Sequence, residues 1–172
     1  MILRYAKAHT YVISPSRKNP SDAGIDVFFC PDVEPNKMDP KKNMLSGSIV
    51  VHPGKNSKLR TGLKFEIPHG YMLEVKNRSS MSSKKDLIVG GGVLDAGYAG
   101  EVSVILHNVS NSPQLIEPGD KIAQLVLIPV VHFDAAICDE GELYNREITI
   151  SNRGTDGFGS SGSNYKGGKG NG

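Results

Sequence analysis

Apolar residues recur at every second position through much of this chain, and nowhere with a helical period. Leu59, Thr61, Leu63, Phe65 and Ile67 alternate with Lys58, Arg60, Lys64 and Glu66. Tyr71, Leu73 and Val75 alternate with Met72, Glu74 and Lys76, and Val102, Val104 and Leu106 with Glu101, Ser103 and His107. Successive side chains of an extended strand point to opposite faces, so each run reads as a strand with one face in a core and one in water. Residues 25–29, 87–89, 122–131 and 148–150 are further strands by the same reasoning. Pro68-His69-Gly70 reads as a hairpin turn between two of the runs. Only residues 81–85 suit a helical turn or two. Many short strands separated by turns predict an all-β antiparallel fold: a sandwich, a jelly roll or a barrel, with little helix.

Composition agrees with that reading. The chain has 20 Gly, 10 Pro and no Trp, which favours turns over long helices, and 38% hydrophobic residues, enough for a packed core. The formal charge of +2 creates no field that would recommend nucleic acid or an anionic membrane as partner. Cys30 and Cys138 are isolated and suggest neither a zinc site nor a disulfide. The first residues lack signal-peptide architecture, and the apolar run from Ile122 to Phe133 is too short to span a bilayer. The expectation is a soluble cytoplasmic protein, in the host cytoplasm for a viral chain, with a nuclear location as the other option. Glu34 to Lys55, with three prolines and a lysine-rich patch, reads as a long surface loop carrying an edge strand at residues 49–51.

Polar clusters interrupt the strands, and each has two readings. Asp22-Ala23-Gly24-Ile25-Asp26 is an acidic turn into a strand, with Asp22 or Asp26 capping backbone amides. Asn77-Arg78-Ser79-Ser80 is either a solvated loop or a cradle for phosphate oxygens. Gly90 to Gly100 is a glycine-rich hairpin that brings Asp95 and Tyr98 to its tip. Those glycines also allow a flat ligand to approach the backbone. Gly119 to Leu125 opens a buried strand, with Gln124 as its polar member.

Glycine is unevenly spread, since 8 of the 20 fall between Arg153 and Gly172. From Ser151 onward there is almost nothing apolar beyond Phe158 and Tyr165, too little to order the segment by packing. Residues 1–150 therefore form the expected β domain and 151–172 a flexible C-terminal arm. Within the arm, Arg153 offers a fork for phosphate and Phe158 a face for a base, spaced among small donors. Residues 163–172 read as a Gly/Lys tail.

With these residues in view, the chain resembles the trimeric all-β dUTPase family. Ala23 to Val27, Arg78-Ser79-Ser80, Gly92 to Asp95 with Tyr98 and Gly100, Gly119 to Leu125, and Arg153 to Gly162 match that family's five motifs in order. The resemblance implies a jelly-roll homotrimer with sites shared between subunits, which hydrolyses dUTP to dUMP and pyrophosphate with Mg²⁺. It implies that Asp95 orients and deprotonates the attacking water and contacts the 3′-hydroxyl. Tyr98 would lie under the sugar and exclude a 2′-hydroxyl, while backbone groups of Gly92, Val93 and Leu94 read the uracil edge. Asp26 would serve the metal through water. Ser79 and Ser80 would face the phosphates, and Arg78 and Gln124 would neutralise and position them. Arg153, Gly159, Ser160 and Ser161 would grip the γ-phosphate, with Phe158 over the uracil. The chain departs from the family pattern at Asn77, where Pro, Gly or Ser is more usual, and at Ala99, where Arg is common.

Two rival activities remain at this level. A dCTP deaminase relative shares the fold but needs a catalytic Glu where Ile105 stands, and nothing else there would shuttle the proton. A non-catalytic nucleotide-binding regulator would have little need of a water-orienting carboxylate such as Asp95.

Overall fold

The computed structural model describes residues 1–32, 38–39 and 44–143. Short strands dominate: β1 (Arg4–Lys7), β2 (Ile25–Phe28), β3 (Met38–Asp39), β4 (Met44–Leu45), β5 (Ile49–Val51), β6 (Asn56–Arg60), β7 (Leu63–Glu66) and β8 (Tyr71–Lys76). A two-turn helix, α1 (Ser79–Lys85), follows, and then β9 (Leu87–Gly90), β10 (Val93–Leu94), β11 (Ser103–Asn108), β12 (Gln114–Ile116) and β13 (Lys121–Pro129). One sheet runs β10-β8-β13-β2 and another β6-β11-β9, with two-stranded ribbons β1-β7, β12-β5 and β3-β4. All pairs are antiparallel. The fold is all-β, as the alternation predicts.

The alternating residues are the core. Leu59, Leu63, Leu73, Val102, Val104, Leu106, Ile122 and Leu125 are fully buried in one cluster fed from both larger sheets. Burying a leucine side chain of this kind contributes about 2 kcal/mol. β13 is the spine, because Gln124 lies opposite Asp26 of β2 on one side and Lys76 of β8 on the other. A register shift between Lys121 and Ala123 marks a bulge at its start. Such an irregularity re-aims the side chain beside it, here Lys121.

Three details differ from the sequence reading. The run from Leu59 to Ile67 is two strands, broken where Gly62 turns at φ +69°, although the alternate residues stay buried on both sides of the break. Pro68 to Gly70 does turn the chain, with the Tyr71 N–H donating to the Pro68 carbonyl at 3.2 Å. It is no hairpin, however, because β7 pairs with β1 and β8 with β10 and β13. Likewise β9 and β10 belong to different sheets, so Gly91-Gly92 is a crossing between sheets, and the tight turn lies beyond it at Asp95 to Tyr98. The edge strand at residues 49–51 is present and pairs with β12.

Two compact units divide the chain, Met1–His132 and Phe133–Gly172. Of the second, residues 133–143 are described, an open stretch with a 3-10 turn at Glu140–Glu142. The strand expected at 148–150 and the arm expected from 151, including Arg153, Phe158, Gly159, Ser160 and Ser161, lie outside the described residues. Among the described residues no helix is long and apolar enough to cross a membrane.

Gly62 is the clearest backbone constraint, since a Cβ there would also stand 2.4 Å from Cγ2 of buried Val12. Gly62→Ala should therefore destabilise the fold by about 2 kcal/mol through backbone strain and overpacking together. Urea unfolding checks this, and an unchanged midpoint would mean that the turn tolerates a side chain.

Candidate active site

Asp26 lies on β2 with its carboxylate largely shielded, at 17% exposure, and both oxygens are taken by cations. Arg78 Nε donates to Oδ1 at 2.8 Å and Lys121 Nζ to Oδ2 at 2.8 Å. Arg78 lies two residues past the end of β8, while Lys121 opens β13, so this trio ties three separate parts of the chain. A second Arg78 nitrogen, Nη1, donates to Ser80 Oγ at 3.2 Å and to the Lys121 carbonyl at 3.4 Å. Lys121 Nζ also lies 5.7 Å from the Phe28 ring centre, where a cation is further favoured. Lys121 was missed by sequence reasoning; the bulge that aims it leaves no trace in composition. Asp22, the other acid of that cluster, instead caps a turn. The Asn19 backbone N–H donates to it at 2.9 Å, and this bond, with the Asn19 side chain, holds its carboxyl below the ordinary value.

A cleft of about 540 Å³ lies next to the trio, lined by residues that include Asn77, Val89, Gly91, Gly92 and Gln124. Its walls are fixed by a short relay. Gln124 Nε2 donates to the Asn77 carbonyl at 2.9 Å, and Asn77 Oδ1 accepts the Val89 N–H at 2.6 Å. Gly24 makes room for this, since a Cβ there would stand 2.7 Å from Gln124 Oε1. Gly92 donates no side chain to the cleft, and its carbonyl accepts the Val75 N–H at 2.7 Å, locking β10 beside β8. The departure at Asn77 thus has a structural role: its amide oxygen replaces a partner that Pro, Gly or a shorter side chain would not bring to Val89.

Asp95 and Tyr98 share the turn beyond β10, where the Tyr98 N–H donates to the Asp95 carbonyl at 3.2 Å and Gly97 takes φ +86°. Both side chains are exposed. Among the described residues no side-chain hydrogen bond or ion pair engages the Asp95 carboxylate. The structure thus brings together Asp26, Arg78 and Ser80 in the ion cluster, and Gly92 and Gln124 in the cleft. Ser79 starts α1 and is exposed, Val93 and Leu94 form β10, and Asp95 and Tyr98 lie on the turn beyond it, with no hydrogen bond or ion pair to the cluster among the described residues. Among the described residues no three His, Cys, Asp or Glu side chains gather as a metal cluster.

Glu101, three residues beyond Tyr98, is not free chemistry. Arg60 Nε donates to both of its oxygens at 3.1 Å, Arg60 Nη2 donates as well, and the Gly62 N–H donates at 2.8 Å. Burial pushes the carboxyl up, but the Arg60 and Gly62 bonds outweigh it and hold it below the ordinary value. A carboxylate so engaged has no proton to shuttle, and the neighbouring Ile105 has none either. The deaminase alternative therefore lacks its acid.

Cations gathered beside a cleft walled by glycine backbone suit a ligand anionic at one end and flat at the other. The family model described as dUTPase matches residues 44–162. The chain belongs to the dUTPase family and is a dUTP diphosphatase. A deoxyuridine 5′-triphosphate nucleotidohydrolase of Picosynechococcus sp. is 34% identical over 164 residues, covering 94% of this chain and 99% of its own. One from Chlamydia trachomatis is 40% identical over 116 residues, covering 66% and 76%. A mutant dUTPase of Staphylococcus bacteriophage 80alpha, solved with dUpNHpp, superposes with a TM-score of 0.75 at 25% identity over 94% of this chain and 99% of its own. A mutant dUTPase from a Staphylococcus aureus phage, phi11, described with a structural Mg(II) ion, shares the fold with a TM-score of 0.68 at 23% identity, over 83% and 99%.

The depressed Glu101 carboxyl has a consequence for stability. Its contribution is complete above the ordinary carboxylate range and is lost as pH falls through the lower, folded value. The stability gap between the wild type and Glu101→Gln should therefore be constant above about pH 5 and shrink below about pH 4. Urea midpoints measured across that range check it, and a gap that stays constant down to acid unfolding would contradict it.

Proposed function

We propose that this chain hydrolyses dUTP to dUMP and pyrophosphate by attack of an Asp95-oriented water on the α-phosphorus, in a homotrimer whose sites are shared between subunits. One observation carries the assignment of roles. Of the two carboxylates to which the resemblance gives a chemical role, Asp26 is committed to two cations, whereas Asp95 is exposed and, among the described residues, meets no side-chain hydrogen bond or ion pair. A base must reach and deprotonate a water, and of these two carboxylates Asp95 is the one that no cation holds. Asp26 acts instead on the groups around it. It holds Arg78 in place, so that Nη2, which no described residue engages, can face phosphate oxygens alongside Ser79, Ser80 and Gln124.

Mg²⁺ fits this donor set as an outer-sphere partner of Asp26. A carboxylate has about four lone-pair positions, so after accepting two N–H bonds Asp26 retains acceptor capacity for metal-bound water. Mg²⁺ keeps several waters and takes substrate phosphates as ligands, which suits so poor a cluster of protein acids. When bound, it supplies charge neutralisation to the phosphate oxygens. The protein residues do the rest: they bind, orient and exclude water, which is most of what phosphoryl chemistry asks.

Tyr98 lies beneath the sugar and leaves no space for a 2′-hydroxyl. The backbone of Gly92, Val93 and Leu94 reads the uracil edge, at a crossing too close-set for a 5-methyl group. Arg153, Gly159, Ser160 and Ser161 take the γ-phosphate, and Phe158 covers the base, a contact worth about 1–3 kcal/mol. Residues 153–162, carried on the 151–172 arm, close on substrate and exclude water, with 163–172 a Gly/Lys tail. Among the described residues no hydrogen bond or ion pair links the Asp95 turn to the Asp26 cluster, which is what a site completed by a neighbouring subunit would leave in one chain. A nucleotide enzyme of this kind works in the cytoplasm, supplying dUMP and keeping uracil out of DNA, with neither nucleic acid nor membrane as partner.

Incubation with dUTP, dCTP, dTTP and UTP plus Mg²⁺ should release pyrophosphate from dUTP alone, and intact dUTP would sink the reading. Asp95→Asn should retain dUpNHpp binding while kcat falls by about 10²- to 10⁴-fold, the usual worth of a general base. Undiminished turnover would show that another group activates the water. Truncation after Asn152 should cut the hydrolysis rate far more than the thermal midpoint. Parallel losses in both would assign residues 153–172 to folding instead.

A further inference from the structure

The Tyr98 ring is folded back over its own turn. A Cβ at Gly100 would stand 2.4 Å from Tyr98 Oη and 2.5 Å from Cζ, so only glycine lets the phenol lie there. At the far end of the ring, Oη donates to the Glu101 carbonyl at 3.1 Å. The ring's tilt is therefore decided by where that carbonyl sits.

Glu101 is clamped from the β6–β7 side. Its carboxylate, on a side chain only 16% exposed, receives Arg60 from the end of β6 and the N–H of Gly62 in the turn that follows. Arg60 is itself held from a second direction by an ion pair to Asp32. The next residue is stitched to the same turn: the Val102 N–H donates to the Leu63 carbonyl at 2.8 Å, and Thr61 Oγ1 donates to the Val102 carbonyl at 2.7 Å. Thr61 is buried, which makes this end of β11 a rigid support. The Tyr98 side, by contrast, is exposed, with the Oη bond as its anchor.

We propose that the Arg60–Glu101 ion pair is a positioning device for Tyr98 and sets how strongly the enzyme discriminates 2′-deoxyribose from ribose. The inference rests on the reading that Tyr98 lies beneath the sugar. Exclusion of one hydroxyl by a flat ring is steric, and a steric wall discriminates only as far as it refuses to yield. A clamp that fixes the Glu101 carbonyl fixes the wall. Loosening it lets the ring swing, which admits the bulkier sugar and costs the smaller one little. This differs from a plain loss of folding or positioning, which would lower turnover of both nucleotides together.

The test is the ratio of kcat/KM for dUTP to that for UTP, measured with Mg²⁺ in the full chain. Arg60→Gln and Glu101→Gln should each lower the ratio by about three- to tenfold, the worth of one hydrogen-bonded constraint. The fall should come mainly from improved use of UTP. Tyr98→Phe keeps the ring but removes its anchor, so it should lower the ratio similarly, and adding Glu101→Gln to it should lower the ratio no further. Arg60→Lys should recover part of the ratio. If Tyr98→Phe and Tyr98→Ala lower the ratio while folded Arg60→Gln leaves it unchanged, or lowers both activities equally, the positioning role is overturned and the reading of Tyr98 stands. If Tyr98→Ala itself leaves the ratio unchanged, the reading of Tyr98 fails, and the positioning role with it. Should Glu101→Gln fail to fold, the two Arg60 variants, at a side chain 35% exposed, decide the question alone.

Discussion

The Asp26 carboxylate is the junction on which the rest of the site depends. Its two oxygens are shared between Arg78 and Lys121, residues that are remote in sequence and arrive from different strand ends. Three partly buried charges this close would be costly if one were missing, because the others would be left shielded and unpaired. The pairing is also directional. With Nε on Asp26 and Nη1 on Ser80 and the Lys121 carbonyl, Nη2 is the guanidinium nitrogen that no described residue engages, and an arginine held this way is pre-oriented as a lysine in its place would not be.

The same economy explains why the two acids of the site differ. Asp26 sits on the edge strand β2, opposite Gln124 of β13 on one side and bridged to Ser16 on the other, whereas Asp95 sits on an exposed turn in which Gly97 takes a positive φ. Identical side chains thus receive opposite settings from backbone context: one ion-paired and shielded, the other open to water. Glycine performs a second task at Gly24, Gly92 and Gly100, each of which gives up a side chain so that another group can approach. Gln124 comes close to Gly24, the Val75 backbone to Gly92 and the Tyr98 ring to Gly100.

What the sequence discloses and what it conceals follow from the range of the interactions. The core was legible at Leu59 to Ile67 and Val102 to Leu106, because alternation is a local record of which face is wet. The strand β1 was not, since all of its residues are exposed and leave no alternation. The turns at Pro68 to Gly70 and Gly91-Gly92 were legible as turns but not as crossings between sheets, because hairpins and crossings use the same residues. Candidate residues on the matched motifs could be named in advance. Lys121 on Asp26 and Arg60 on Glu101 could not, for each partnership is made by strand register and spans many residues.

The central claim is that Asp26 serves the reaction by holding Arg78. A double-mutant cycle on kcat/KM for dUTP with Asp26→Asn and Arg78→Lys measures that coupling directly. If the two residues act as one unit, the double variant loses scarcely more than the worse single variant. If the losses multiply as for independent residues, Asp26 acts elsewhere and the account of the site is wrong.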